Sequence, residues 1–278
     1  MTELLIDTDD VSVFFSPGTG DTCMFVMGHM LKHTRSQYWG QIPIEKLGLP
    51  CIGVAAKRAH WYPPSAMDGL IPEIRAYLAP YKQRMGYGFS MGGFGILAYA
   101  DALNLTHAIP FSPQWSIDPG LVGSFDKRYE EFFRYENSHQ FITAPVNTKT
   151  AIVYDPTFAP DAMAARKIDP SGRTSHVHMT GIGHATIEPL VSTDRLGALL
   201  GATIPEVRTL VRRWKKDHPN YLIWLATKLH RSGRVRLAAK LTAQALEKDP
   251  NHQLALRLKA NLGSAFYGAT KAGSGTPG

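Results

Sequence analysis

"RMGYGFSMGGFGILAYA", residues 84–100, places a single serine between glycines where an apolar strand-like run meets an apolar helix-like one. Three chemistries compete for such a turn. A dinucleotide fingerprint requires G-x-G-x-x-G, and after Gly86 and Gly88 the third glycine position is occupied by Met91, so the spacing fails by one residue. A phosphate loop requires Gly-Lys-Ser/Thr, and no lysine follows the glycines. G-x-S-x-G fits as Gly88-Phe89-Ser90-Met91-Gly92, directly after a strand and directly before a helix. In that turn the serine takes a strained backbone conformation, and its glycine neighbours avoid collision with the adjoining strand and helix. Ser90 is therefore the candidate nucleophile.

Outward from this turn, strand-like runs recur at 10–16, 22–28, 49–56, 84–90, 106–112, 150–155 and 176–183, with helix-like segments such as "IPEIRAYLAPY" and "MGGFGILAYADAL" between them. Near-continuous apolar strands alternating with helices predict an α/β fold, a mostly parallel sheet with helices on both faces. Functional residues then gather at the carboxyl ends of the strands. The 278 residues, 44% of them hydrophobic, suffice for one large domain and a small appendage. The N-terminus "MTELLIDTDD" lacks the basic then apolar pattern of a signal peptide, and no apolar run reaches the roughly 18 residues of a bilayer span, so a soluble, cytoplasmic protein is expected. Cys23 and Cys51 lie inside apolar runs and read as buried thiols.

The formal charge of +7 is unevenly spread. Residues 1–203 carry 16 Lys/Arg against 19 Asp/Glu, whereas residues 204–261 carry 13 against 4. This shift places a boundary near 203: a catalytic domain over 1–203, a basic all-α appendage over 204–263, and a disordered tail over 264–278.

A serine nucleophile needs a base and an orienting acid, expected in the order serine, acid, histidine. "GIGHATIEPL" puts His184 just past the last strand, as the base that takes the Ser90 proton. "VYDPTFAPD" offers Asp155 at a strand end and Asp161 just ahead of "AMAARKI". Asp155 is the preferred acid, because Asp161 reads as a helix N-cap. The oxyanion site needs two backbone N–H groups, assigned to Met91, after the nucleophile, and to His29 in "FVMGHM" after the early strand.

On these residues the chain resembles the α/β-hydrolase fold family over about 10–200: "GFSMGG" as the nucleophile turn, "MGH" beside the oxyanion site, "DPTFAPD" as the acid turn and "GIGH" as the base. Met27 stands where many members carry histidine. The resemblance implies Ser-His-Asp acyl transfer through an acyl-enzyme, with no metal or organic cofactor; it implies no particular substrate, since the fold hosts esterases, thioesterases, peptidases, acyltransferases and inactive relatives.

Other strand ends bring aromatics beside hydrogen-bonding groups: Tyr38 and Trp39 with Arg35, Trp61 and Tyr62 with Arg58 and His60, and Trp115 with Gln114. Trp61, Trp115 and His60 are the leading substrate-binding candidates, and the mixture suits a small-molecule ester or thioester, sugar-bearing or otherwise polar. The insertion at 116–148, with Phe132, Phe133 and Tyr135, is expected to pack as a short helix or a partial lid. In the appendage, Leu222, Leu225, Ala226, Leu229, Gly233, Ala238 and Ala245 resemble a single tetratricopeptide repeat, which cannot bury its own faces and so must dock. Its basic helices suit an acidic protein partner and carry no nucleic-acid recognition motif. Two function classes follow: a serine esterase or acyl hydrolase, acyl transfer included, and a non-catalytic scaffold that keeps the fold for partner binding.

Overall fold

In the computed structural model of the chain, which describes residues 1–30, 37–263 and 266, eight strands form one sheet: β1 Glu3–Asp7, β2 Val11–Ser16, β3 Thr22–Met27, β4 Cys51–Ala56, β5 Gln83–Phe89, β6 His107–Phe111, β7 Lys149–Tyr154 and β8 Ser175–His178. Their order is β1-β2-β4-β3-β5-β6-β7-β8. β2 runs antiparallel to β1 and β4, and every other pairing is parallel. The helices are α1 Gln41–Lys46, α2 Pro64–Met67, α3 Ile71–Leu78, α4 Met91–Tyr99, α5 Pro119–Val122, α6 Ala159–Ile168, α7 Thr193–Leu200, α8 Ile204–Trp214, α9 Pro219–Arg231, α10 Val235–Lys248 and α11 Gln253–Leu262. The architecture is α/β-hydrolase-like, with a helical C-terminal part.

Strand periodicity sorts the core onto two faces. On β3, Phe25 and Met27 join one apolar cluster with Ile74 and Leu78 of α3, Phe94 of α4 and Ala165 of α6. Met24 and Val26 join the other, with Ile44 of α1, Leu196 and Leu199 of α7, and Val207 and Val211 of α8. Both faces are thus covered, which is why the central strands read as continuous apolar runs. Cys23 and Cys51 are buried free thiols, and burial pushes the Cys23 thiol up to about 12.

The chain departs from the sequence reading at both ends. β1, within the acidic N-terminal stretch, is an edge strand with a largely exposed pattern, and its three apolar residues Leu4, Leu5 and Ile6 stand between Glu3 and Asp7 as too short a run to mark a strand. The expected boundary at 203 falls ahead of α8, whose Val207, Val211 and Trp214 share a core with Val177 of β8 and Leu196 of α7. α9 and α10 pack through the small buried residues Ala226, Ala238 and Ala239, with Leu258 and Leu262 of α11 in the same cluster. The tail expected over 264–278 lies, Phe266 excepted, outside the described residues.

Candidate active site

The register of the parallel strands sets the site. Met27 of β3 pairs with Gly88 of β5, and Phe89 pairs with Phe111 of β6, so three strand ends open side by side. The chain reverses from β5 into α4 at Ser90, whose φ of 54° is costly for a residue with a Cβ. The turn persists because its surroundings hold it: the Ser90 amide donates to the Phe111 carbonyl at 2.8 Å, and the Phe94 amide closes the first helical turn onto the Ser90 carbonyl at 2.9 Å. A Cβ on Gly88 would lie 2.5 Å from the Gly92 carbonyl oxygen, and one on Gly92 would strike the Met27 carbonyl. Both motif glycines are therefore required by close backbone approach.

Ser90 Oγ lies 3.0 Å from His184 Nε2. On the far side of the ring, Nδ1 is 2.9 and 3.0 Å from the two oxygens of Asp161. A carboxylate at that distance fixes the proton on Nδ1 and leaves Nε2 as the acceptor for the serine hydroxyl. Asp161 is 2% exposed and also accepts from Arg128 Nη2 at 3.0 Å. Arg128 in turn pairs with Asp126 through Nε at 2.7 Å and Nη2 at 2.6 Å. Burial works against the guanidinium charge, but Asp126 and Asp161 more than offset it and raise its pKa.

The structure thus puts Asp161 against His184, where the sequence reading had preferred Asp155. Asp155 is 1% exposed and fully engaged elsewhere. Its Oδ1 accepts from the Thr157 amide at 2.8 Å and hydroxyl at 2.7 Å, and its Oδ2 from the amides of Gly181 at 2.9 Å and Gly183 at 2.7 Å. It anchors the loop that carries the histidine. Asp161 is not the helix N-cap that the sequence suggested: Phe158 holds that place, and Asp161 lies within the first turn of α6 with its side chain on the imidazole.

Gln114, from the loop after β6, donates through Nε2 to Ser90 Oγ at 3.1 Å, and its Oε1 accepts from Trp61 Nε1 at 2.9 Å. Trp61 is wholly buried and orients that amide, so it offers no open binding face. His60 is also wholly buried: Nδ1 accepts from the Tyr62 amide at 3.0 Å, which leaves Nε2 to donate to the Asp10 carbonyl at 3.2 Å. It holds backbone in place and does not face the site. Trp115 packs against Phe141 and Phe125, with Lys167 Nζ 5.0 Å over its ring. Tyr38 bonds Ser16 Oγ at 2.9 Å within the core, and Arg58 is ion-paired to Asp10 and Glu136. Arg35 lies outside the described residues.

Of the two amides assigned to the oxyanion site, that of Met91 is in the first turn of α4, where N–H groups have no carbonyl within the helix. The His29 ring stands edge-on to Trp39 and Phe89, and the preceding Gly28 is fixed by its amide to Val54 and by its carbonyl to Tyr62 Oη.

Sequence reasoning missed Arg128 and Tyr129. Both belong to the 116–148 insertion, which has little regular structure beyond α5 and two single 3₁₀ turns. Tyr129 Oη is 3.1 Å from His184 Nε2 and 3.4 Å from Gln114 Nε2. Burial raises its pKa, against the opposing effects of Arg128 and Ser90, so it keeps its proton. Phe132 packs beside Trp61, whereas Tyr135 is 92% exposed.

The C-terminal helices touch the same loop. Lys215 Nζ donates to the Thr180 carbonyl at 3.0 Å, Asn220 Nδ2 donates to the Ile182 carbonyl at 2.9 Å, and the Trp224 ring lies so close to Gly181 that a Cβ there would stand 2.8 Å from it. Between this loop and α9 and α11 opens a cavity of about 820 Å³, with His184 in its wall.

No protein-family model matches the chain, and no curated protein matches it. Among solved structures it is similar to the capsule O-acetyltransferase of Neisseria meningitidis serogroup A, at 11% identity and a TM-score of 0.46 over 74% of this chain and 93% of that one. It is also similar to α/β hydrolase domain-containing protein 10 from mouse, at 13% identity and a TM-score of 0.46 over 77% and 99%. A third is XC6422 from Xanthomonas campestris, described as an α/β serine hydrolase without lid, at 15% identity and a TM-score of 0.42 over 73% and 89%.

Proposed function

We propose that the chain is a serine acyl hydrolase or acyltransferase acting on a carboxylic ester or thioester, with Ser90 as nucleophile, His184 as base and Asp161 as orienting acid. The observation that carries the reading is the continuous line from Ser90 Oγ to His184 Nε2 at 3.0 Å and from Nδ1 to Asp161 at 2.9 Å, set at a strained turn heading a helix. Ser90 attacks the carbonyl carbon as His184 Nε2 takes its proton, and buried Asp161 stabilises the imidazolium that forms. The amides of Met91 and His29 are the oxyanion donors in this reading, and the Gln114 amide adds a donor beside the serine oxygen. His184 then returns the proton to the departing oxygen or sulfur, and water or another acceptor releases the acyl group. In this assignment Asp155 is a positioning residue.

A fluorophosphonate probe tests the reading, because a histidine-activated serine attacks phosphorus as it attacks a carbonyl. Peptide mapping is expected to find the adduct on Ser90, and Ser90→Ala to abolish it. Wild-type protein that stays unlabelled, while a serine esterase in the same tube reacts, would leave the scaffold reading in its place.

A further inference from the structure

In an acyl-enzyme mechanism the base hands its proton to the leaving group, so the leaving group passes over His184. The cavity of about 820 Å³ begins there: its wall includes Gly183, His184 and Ala185, then one face each of α9 and α11. The spacing Ile223, Thr227, Arg231 on α9 and Leu254, Leu258, Asn261 on α11 is that of single helical stripes. This volume suits a ligand of cofactor size.

Its electrostatics are one-sided. Lys228, Arg231 and Arg257 line it, and its one carboxylate, Asp155, is turned onto the amides of Thr157, Gly181 and Gly183. Among the described residues neither Arg231 nor Arg257 has an acidic partner, and Lys228 Nζ rests 4.0 Å over the Trp224 ring. Ile223, Trp224, Leu254 and Leu258 supply apolar wall between these charges. Three cations against a spent carboxylate exceed what a single carboxylate ligand would balance, and match a group with several negative charges.

We infer that the cavity receives the leaving group, and that this group is polyanionic, with phosphate as the group that carries the charge. The inference rests on the proposed acyl-transfer reading and assigns its substrate class: an ester or thioester whose leaving group carries phosphate beside an apolar portion. Lys228, Arg231 and Arg257 hold the anion, while Ser90, which does not line the cavity, meets the acyl carbon on the other side of His184.

Hydroxypyrene trisulfonate, a fluorescent aromatic trianion, serves as the probe for binding, and its acetyl ester for turnover. Fluorescence anisotropy with the full-length Ser90→Ala protein reads binding without chemistry. The expected result is binding that is displaced by inorganic pyrophosphate, falls with added salt, and weakens about tenfold or more when Lys228→Gln, Arg231→Gln and Arg257→Gln are combined. In otherwise wild-type protein, the ratio of kcat/KM for the trisulfonated acetyl ester to that for neutral 1-acetoxypyrene is expected to fall by a similar factor. No binding, binding indifferent to the triple substitution, or an equal fall for both esters overturns the inference. Dye binding that depends on the three cations, together with a Ser90 that fluorophosphonate never labels, overturns instead the acyl-transfer reading on which the leaving-group assignment stands.

Discussion

Replacing each of two aspartates by asparagine separates catalysis from positioning. In Asp161→Asn the amide can still sit beside His184, but it no longer stabilises an imidazolium or enforces the Nδ1 proton. The expected fall in kcat is about 10⁴-fold, a barrier increase of roughly 5.5 kcal/mol, with the fold largely kept. In Asp155→Asn one oxygen can remain on Thr157, and the new NH₂ group then faces the amides of Gly181 and Gly183, donor against donor. The buried Gly181 N–H costs about 1–3 kcal/mol without an acceptor and the half-buried Gly183 N–H less, about 2–4 kcal/mol together. At about 2–4 °C per kcal/mol, the melting temperature should drop by roughly 5–15 °C. Initial rates of p-nitrophenyl acetate hydrolysis, beside thermal melts followed by circular dichroism, measure both effects. If Asp155→Asn melts like wild type yet loses 10⁴-fold in kcat, while Asp161→Asn keeps more than a tenth of the activity, the assignment drawn from these contacts is wrong.

Two further expectations concern the chain's end and its acid stability. A chain stopped at residue 203 uncovers Val177, Leu196 and Leu199 and loses the Lys215 and Asn220 bonds to Thr180 and Ile182, so it should aggregate or fail to label with fluorophosphonate. A cooperative melt with wild-type esterase rates would instead support the independent unit expected from the charge distribution. Asp169 is buried, which raises its pKa, but bonds from Thr174, Arg173 and Ser171 more than offset this and hold it at about 2, against an ordinary 3.8. Its folded-state pKa is depressed, so its contribution of roughly 2 kcal/mol is full above pH 4 and lost as the pH falls through 2. In stability curves between pH 5 and 2, Asp169→Asn should be less stable at pH 5 and show a shallower acid limb; parallel curves would remove Asp169 from the account.

The serine turn and the histidine were legible because each depends on local rules: two glycines demanded by close packing, and a strand end followed by a glycine-flanked histidine. The acid was not, because Asp155 and Asp161 both follow β7 and only the path of residues 181–183, which fold their amides onto Asp155, decides which carboxylate is left for the imidazole. His60 and Trp61 read as surface recognition groups since a histidine among aromatics looks polar and exposed; backbone partners and Gln114 instead bury them. Arg128 and Tyr129 lie in an insertion without periodicity, where no pattern ties a residue to a distant strand end. Charge marked a change of surface at 203 and not a change of core, because the apolar stripe of α8 continues beneath the sheet.

The loop bearing His184 is gripped through its peptide groups: Asp155 takes two of its N–H groups, and Lys215 and Asn220 take two of its carbonyls. Such clamps read main chain and are indifferent to side-chain identity. Thr180 and Ala185 bracket the base with half-exposed side chains that take no part in the grip, and Ala185 borders the cavity. A larger or charged side chain in place of Ala185 can therefore reshape the cavity wall while the imidazole keeps its distance from the Ser90 hydroxyl, so the two can vary independently within a single turn of chain.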